Sequence, residues 1–360
     1  MAKRINKDIN AGVNAITGFT LQRNIAVYLI LENYEIKYKN ANYFICLEHH
    51  DDCLICFLDE NNHIQTIDAY QSKKKSSTNW TLNKEFTEIV KKILCTGKEL
   101  LNDASYPKSK DYSHSLFFVT NQTVNLKKAQ DAVSIKEDNT CVNFKALPNS
   151  IKKHLQEHVT DKKLHSELEN LNILWVDLSR TAIHQENQLI GQISRIFGEN
   201  IESPKAALML ILELFKKIES TYNNNNVAAL LDETKRVSSN DINNALDIIT
   251  TQSRCYKYWR EQKSSICRKL GIVVRDQSIF KFHFESSFDY FKSDTSSVHI
   301  AIKNFIIANI DSIEDAYDEV EMIDKLVKLY QKEITTKLEI LQLKAIFFAA
   351  YFVVSEELYK

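Results

Sequence analysis

From Phe19 to Glu35, positions Leu21, Ile25, Tyr28, Leu29 and Glu32 fall near helical spacing, and Thr17 offers a cap. Short apolar runs follow at Tyr43–Leu47 and Cys53–Leu58, and both read as strands. Asp59-Glu60-Asn61-Asn62 is a turn signal, and His63 to Lys73 reads as the returning strand. Phe86 to Leu101 resumes the helical period, and Ser115–Thr120 (SLFFVT) has the composition of a buried strand. Helix, strand, hairpin, helix, strand is the order of a mixed α/β layer.

Beyond Pro148 the pattern changes. From Ile151 onward it is mostly helical, with a short strand expected at Asn172–Leu178 and a strong helix opening at Pro204 and running to about Thr221. Asn223–Asn226 reads as a loop, and Asp241–Gln252 and Ile313–Val354 as further helical stretches. A strand pair is expected within Ile272–Phe284. The apolar run Ala345–Val354 has ten residues, too few to span a bilayer, which needs about 20. It is expected to be buried in the helical region or against another copy.

Composition narrows the function classes. Only 6 Gly and 3 Pro occur in 360 residues, which disfavours glycine-rich phosphate loops and turn-dense all-β folds. No GxGxxG and no GxxxxGK[ST] is present. The seven cysteines have no framework spacing and the amino terminus, MAKRINKDIN, has no apolar core, so a cytoplasmic location with free thiols is expected. The formal net charge is -1, so contact with a polyanion must come from a local basic patch.

The informative stretch is Glu48 to Lys75, EHHDDCLICFLDENNHIQTIDAYQSKKK. Folded as a hairpin around Asp59–Asn62, it sets Leu58 against His63 and Asp52 against Ala69. Opposed residues share a face, as do residues two apart on a strand, so Asp52, Gln71 and Lys73 point one way and Asp68 and Ser72 the other. One extra residue in either strand would flip the faces. A carboxylate and an amide oxygen can hold Mg²⁺, a hard cation that prefers oxygen. A lysine beside them can orient a water or stabilise phosphate charge. Lys74 and Lys75 extend a basic end where a phosphate backbone would enter.

In these residues the chain resembles the double-stranded-DNA endonuclease effectors of bacterial anti-phage defence, best known from CBASS systems and related to Mrr-like restriction nucleases of the PD-(D/E)xK type. The resemblance covers roughly residues 12–250 and is carried by GFTLQ (Gly18–Gln22), LEHHDDCLICFL, YQSK (Tyr70–Lys73), FFVTN (Phe117–Asn121), NQLIGQISRIFGE (Asn187–Glu199) and a helix around Ala206–Ile218. It implies that Asp52 is the main metal ligand, that Gln71 holds the second motif position, and that Lys73 is the catalytic lysine. Glu48 is then an accessory acid, and Gln22 stands where relatives often carry Glu on the first helix. Gln22 and Gln71 depart from the commonest acidic pattern; QxK variants occur within the group.

The expected architecture is a restriction-endonuclease-like α/β core over residues 1–150 and a mainly α-helical region over 151–360 for assembly or partner binding. The expected function is a Mg²⁺- or Mn²⁺-dependent endonuclease acting on double-stranded DNA in prokaryotic defence, as a homo-oligomer, with a HerA-type translocating ATPase as candidate partner and no membrane association. CBASS relatives carry a carboxy-terminal nucleotide sensor; about 110 helical residues after 250 are few for one. The rival readings are a non-catalytic helical scaffold and an RNase on the same fold. Other constellations carry blander readings. His49-His50-Asp51-Asp52 lacks a second His/Cys pair at ligand spacing. The cysteines of Cys53-Leu54-Ile55-Cys56 fall on opposite faces of a strand. Asp177, Ser179 and His184 lack a nucleophile elbow. Arg254–Arg260 is best read as a helix packing its aromatic side.

Overall fold

The computed structural model describes residues 11–49, 51–75, 79–198, 201, 203–219, 233–293, 296–313 and 315–358. The chain divides into two compact units, one of residues 1–196 and 204–243, the other of 197–203 and 244–360.

The first unit opens with α1 (Ala11–Glu32) and a π-helical turn at Tyr34–Tyr38. Then come β1 (Tyr43–His49), β2 (Asp51–Leu58), β3 (Ile64–Ser72), β4 (Trp80–Thr81), α2 (Lys84–Asn102) and β5 (Lys108–Thr120). It continues through β6 (Val124–Lys128), β7 (Asp131–Ile135), β8 (Cys141–Asn143), α3 (Asn149–His158), β9 (Leu171–Trp175), α4 (Ala182–Phe197), α5 (Pro204–Glu219) and β10 (Arg236–Ser238). Seven strands form one sheet in the order β10-β1-β2-β3-β5-β9-β8, and β4-β6-β7 form a small second sheet. β3, β5 and β9 run parallel at the centre and antiparallel strands flank them. The sheet continues past residue 150, since β9 pairs with β5 and β10 with β1.

Both faces of the sheet are covered, which is why its central strands are apolar almost throughout. Phe44, Cys46, Leu54, Cys56, Ile67, Ala69, Leu116 and Phe118 pack in one core with Phe86, Val90, Ile93 and Leu94 of α2. Those α2 residues recur at three- and four-residue spacing, the stripe of a helix lying on a sheet. Asn83 caps α2 by accepting from the Phe86 amide at 2.9 Å. At the other end the Lys108 ammonium donates to the carbonyls of Leu100 at 2.6 Å and Leu101 at 3.1 Å, satisfying oxygens that the helix leaves unpaired. Gly97 lets α2 approach β5 closely. A Cβ there would lie 2.7 Å from both Glu167 Oε2 and Leu116 Cδ1. Glu167 is itself buried and held by His114 Nε2 at 2.7 Å and Asn170 Nδ2 at 3.0 Å. On the opposite face α1 packs on β2 and β3, and α5 on β1.

The β2–β3 register differs from the regular hairpin that the sequence suggests. Leu54, not Asp52, faces Ala69, and Cys53 faces Tyr70. The turn is one residue longer: Asp59 and His63 close it, and Asn62 takes a left-handed φ of 59°. A second irregularity follows, because Leu58 faces Ile64 whereas Phe57 faces Thr66, so Gln65 bulges out. Each irregularity alone would exchange the faces. Together they shift the register by two, and the alternation is restored.

The second unit is helical: α6 (Ser239–Lys269, its first turns in the first unit), α7 (Gln277–Ser293), α8 (Ser297–Asn309), α9 (Glu319–Glu333) and α10 (Ile340–Leu358). α10 packs on α7, α8 and α9. Ala345, Ile346, Phe347, Phe348, Ala349 and Ala350 are all buried, which explains a helix apolar on every side. Phe348 meets the rings of Trp259, Phe280 and Phe284 at centroid distances of 6.2, 6.1 and 5.3 Å. No described helix is long and apolar enough to cross a membrane.

The strand pair expected within Ile272–Phe284 is instead a 3-10 turn and the start of α7. Aromatic and β-branched residues favour strands locally, but Phe280, Phe284 and Phe288 recur every four residues and bury one helical face. Arg254–Arg260 is helical with Trp259 buried, stacked on Phe280 at 5.1 Å. The Asn223–Asn226 loop lies outside the described residues.

Two stability outcomes follow. Phe348→Ala should lower the unfolding free energy of the second unit by about 3–5 kcal/mol through the cavity it leaves. Urea unfolding followed by near-ultraviolet circular dichroism reads this, and a loss below about 1 kcal/mol would mean that the aromatic cluster repacks. Gly97→Ala gains about 1 kcal/mol of helix propensity but overpacks against Glu167 and Leu116, which costs about 1–3 kcal/mol. A lower urea midpoint is expected; an unchanged or higher one would show that both neighbours give way.

Candidate functional site

β3 changes character along its length. Ile67 and Ala69 belong to the α2-side core, and by alternation Gln71 and Lys73 follow them on that side. Gln71 faces Phe118 on β5 and is only 8% exposed. Lys73 stands just past the strand end, half-buried, with its amide donating to the Val119 carbonyl at 2.9 Å. The two motif positions therefore sit where the parallel strands β3 and β5 run out, the usual place for polar groups on such a sheet.

The same end is enclosed by polar and aromatic groups. Thr120 is buried and its hydroxyl accepts from the Trp80 indole at 3.1 Å. Trp80 lies edge-on to Phe118, with centroids 5.2 Å apart. Lys75 pairs with Glu85 of α2 at 3.0 Å and lies 4.5 Å over the Trp80 ring. Of the two lysines expected to meet DNA, Lys75 is thus tied into the fold, whereas Lys74 is exposed.

The opposite side of β3 carries Asp68, Tyr70 and Ser72, as the alternation requires. Asp68 is buried and paired with Lys37 at 2.7 Å. Tyr70 stacks on Phe117 at 4.7 Å. Burial, and then the Asp68 charge, hold its hydroxyl well above the usual tyrosine range, so it stays protonated. Gln22 is half-buried on α1, the helix that packs on β2 and β3 outside the α2-side core.

On β1 and β2, Leu47 faces Cys53 and His49 faces Asp51, so positions 48 and 52 stand across from one another. The side chains of Glu48, His49, Asp51 and Asp52, and the whole of His50, lie outside what the structure describes. Cys53 and Cys56 are buried and form no disulfide. Burial raises the Cys56 thiol well above its ordinary range, which removes it as a nucleophile. Asp177 and His184 are exposed, and Ser179 uses its backbone amide to bind Gln188 Oε1 at 2.6 Å. Among the described residues no group of three or more His, Cys, Asp or Glu side chains could hold a metal ion.

Sequence reasoning missed the small sheet. β4 sets Trp80 and β6 continues from the end of β5, and both frame the Gln71–Lys73 end. The signal was faint, since β4 has two residues and β6 (VNLKK) ends in two lysines.

No curated protein and no solved structure matches the chain. Residues 10–238 match the family model described as "Cap4, dsDNA endonuclease domain". That match covers more than half of the 360 residues and, apart from residues 197–203, falls in the first unit, so the chain belongs to the Cap4 double-stranded-DNA endonuclease family.

Proposed function

We propose that the chain cuts double-stranded DNA with a PD-(D/E)xK-type centre formed by Asp52, Gln71 and Lys73, dependent on Mg²⁺ or Mn²⁺. The observation that carries this reading is the register. Cys53 faces Tyr70, and one further step sets position 52 across from Gln71. With position 48 across from 52, Glu48, Asp52 and Gln71 occupy one row over three neighbouring strands, and Lys73 lies two residues further along.

The donor set of that row suits a hard cation. It offers two carboxylates and an amide oxygen, while Cys53 alternates to the other side. Asp52 and Gln71 would hold the ion, with Glu48 as accessory acid. When bound, it would lower the pKa of a coordinated water and offset phosphate charge. Lys73 would donate to the scissile phosphate or orient the attacking water, and its half-buried position at the strand end restricts its geometry. Phe118 beside Gln71 and the Trp80 ring would limit water at that part of the site, which would strengthen each polar contact. Gln22 is left out of this centre because its helix belongs to the other side of the sheet. Lys74 is the exposed lysine best placed to meet the incoming strand.

The helical stretch from residue 244 onward lies beyond the family match and fits an assembly role. Ile279 and Phe282 on α7, and Ile300 and Ile307 on α8, are exposed apolar residues. They suit a homo-oligomer, or docking on a HerA-type ATPase, within anti-phage defence in the cytoplasm.

Purified protein incubated with plasmid and with RNA, in Mg²⁺ and in EDTA, tests the activity. Plasmid should be cut only in Mg²⁺; cutting of RNA alone would replace this reading by the ribonuclease one. Lys73→Ala should lose about 3–4 kcal/mol of transition-state stabilisation yet change stability by no more than about 0.5 kcal/mol. Unchanged cutting by that variant in a matched Mg²⁺ titration would remove the strand as an active site. Gln71→Glu adds a carboxylate to the row and should shift the Mg²⁺ dependence of cutting to lower concentration. A shift in the other direction would place Gln71 outside the metal shell.

A further inference from the structure

β6 carries the chain away from the end of β5, and its last residues, Lys127 and Lys128, are exposed at the turn into β7. α3 packs on β6. The Ser150 hydroxyl donates to the Lys128 carbonyl at 3.0 Å and fixes the start of α3 beside that turn. Lys152 and Lys153 lie in the same first turns of α3, half-buried and exposed. His154 reports how close the two elements come. Its imidazole pKa is lowered by burial first, then by His158 and by the Lys128 ammonium. Four ammonium groups thus gather on two elements fixed to each other.

Some lysines of the first unit are held internally: Lys37 by Asp68, Lys75 by Glu85, Lys145 by Glu169, and Lys108 by the end of α2. Lys127, Lys128, Lys152 and Lys153 have no ion pair among the described residues. The acids nearest in the chain are Asp131, across the turn from Lys128, and Glu157, one turn after Lys153. Across the β6–β7 hairpin and α3, four ammoniums stand against two carboxylates. On a chain of formal net charge -1, a concentrated positive surface is what phosphate contact requires.

We propose that Lys127, Lys128, Lys152 and Lys153 form a phosphate-contacting surface that grips the DNA backbone beyond the cutting strands. This rests on the DNA-cutting reading above and adds where the duplex is held. The surface is rigidly linked to the candidate centre. Val124, at the start of β6, pairs with Trp80, whose indole binds Thr120 beside Lys73. From Val124 the strand carries Lys128 roughly 13 Å further on. A duplex lying across both would be held at one point and cut at another.

Binding of a fluorescent duplex by the full chain in EDTA, titrated with salt, tests this apart from cleavage. Replacing all four lysines by alanine should weaken binding whatever the sequence. It should also flatten the slope of log affinity against log salt by about 3–4, near 0.9 for each phosphate no longer neutralised. The smaller variant Lys127→Ala/Lys128→Ala, at the exposed turn, should flatten it by about half as much. The charge-matched control Lys332→Ala/Lys337→Ala should leave it unchanged. A wild-type slope in the folded double or quadruple variant overturns the proposal, as does equal flattening in the control. If Lys73→Ala abolishes cutting while the lysine variants keep wild-type binding, only the proposed surface fails. If Lys73→Ala cuts normally, the candidate centre fails, and the salt slope still decides the surface.

Discussion

The pairing of β3 with its two neighbours governs what the first unit can do. Between β2 and β3 the chain takes one extra residue in the turn and one more in the bulge at Gln65. Since side chains alternate with a period of two, a single insertion would have turned Ala69 and Ile67 out of the α2-side core and brought Asp68 and Tyr70 into it. Two insertions preserve the alternation, and the bulge adds local twist. On its other edge β3 runs parallel to β5, so both strands end together and their last polar residues share one rim. The position of Gln71 and Lys73 is therefore a consequence of sheet register.

Electrostatics in this unit follows burial. Asp68 is three residues from Gln71 and equally buried, yet it is engaged with Lys37 on the far side. Glu167 is satisfied by His114 and Asn170 beneath Gly97. Carboxylates removed from water require partners, and these have them within the fold. The described acids in the core are therefore structural, and the proposed metal-binding row through positions 48, 52 and 71 draws on none of them.

The family match ends at residue 238, and the division between the compact units falls at Asn243. The helical second unit has its own core around Trp259, Phe284, Phe347 and Phe348. About 110 residues, few for a domain of ordinary size, suffice here because large aromatic side chains supply much of the buried area.

The sequence by itself determined the helices and main strands, because apolar periodicity is a local property: α1, α2, α5, the central strands and the buried Ala345–Val354 run were all readable from it. It also determined the family, since YQSK and LEHHDDCLICFL keep their spacing whatever the register between them. Tertiary structure alone decided that Leu54 and not Asp52 faces Ala69, because a bulge is set by the fit of two strands and not by either one. It decided that β8, β9 and β10 complete the sheet beyond residue 140, since three-residue strands such as CVN and RVS are stable only against partners distant in the chain. It decided that Ile272–Phe284 is helical, where burial of every fourth aromatic residue outweighs a local preference for strand. And it decided which lysines are committed to the fold, because an ammonium group finds its partner in space, at distances that sequence order does not encode.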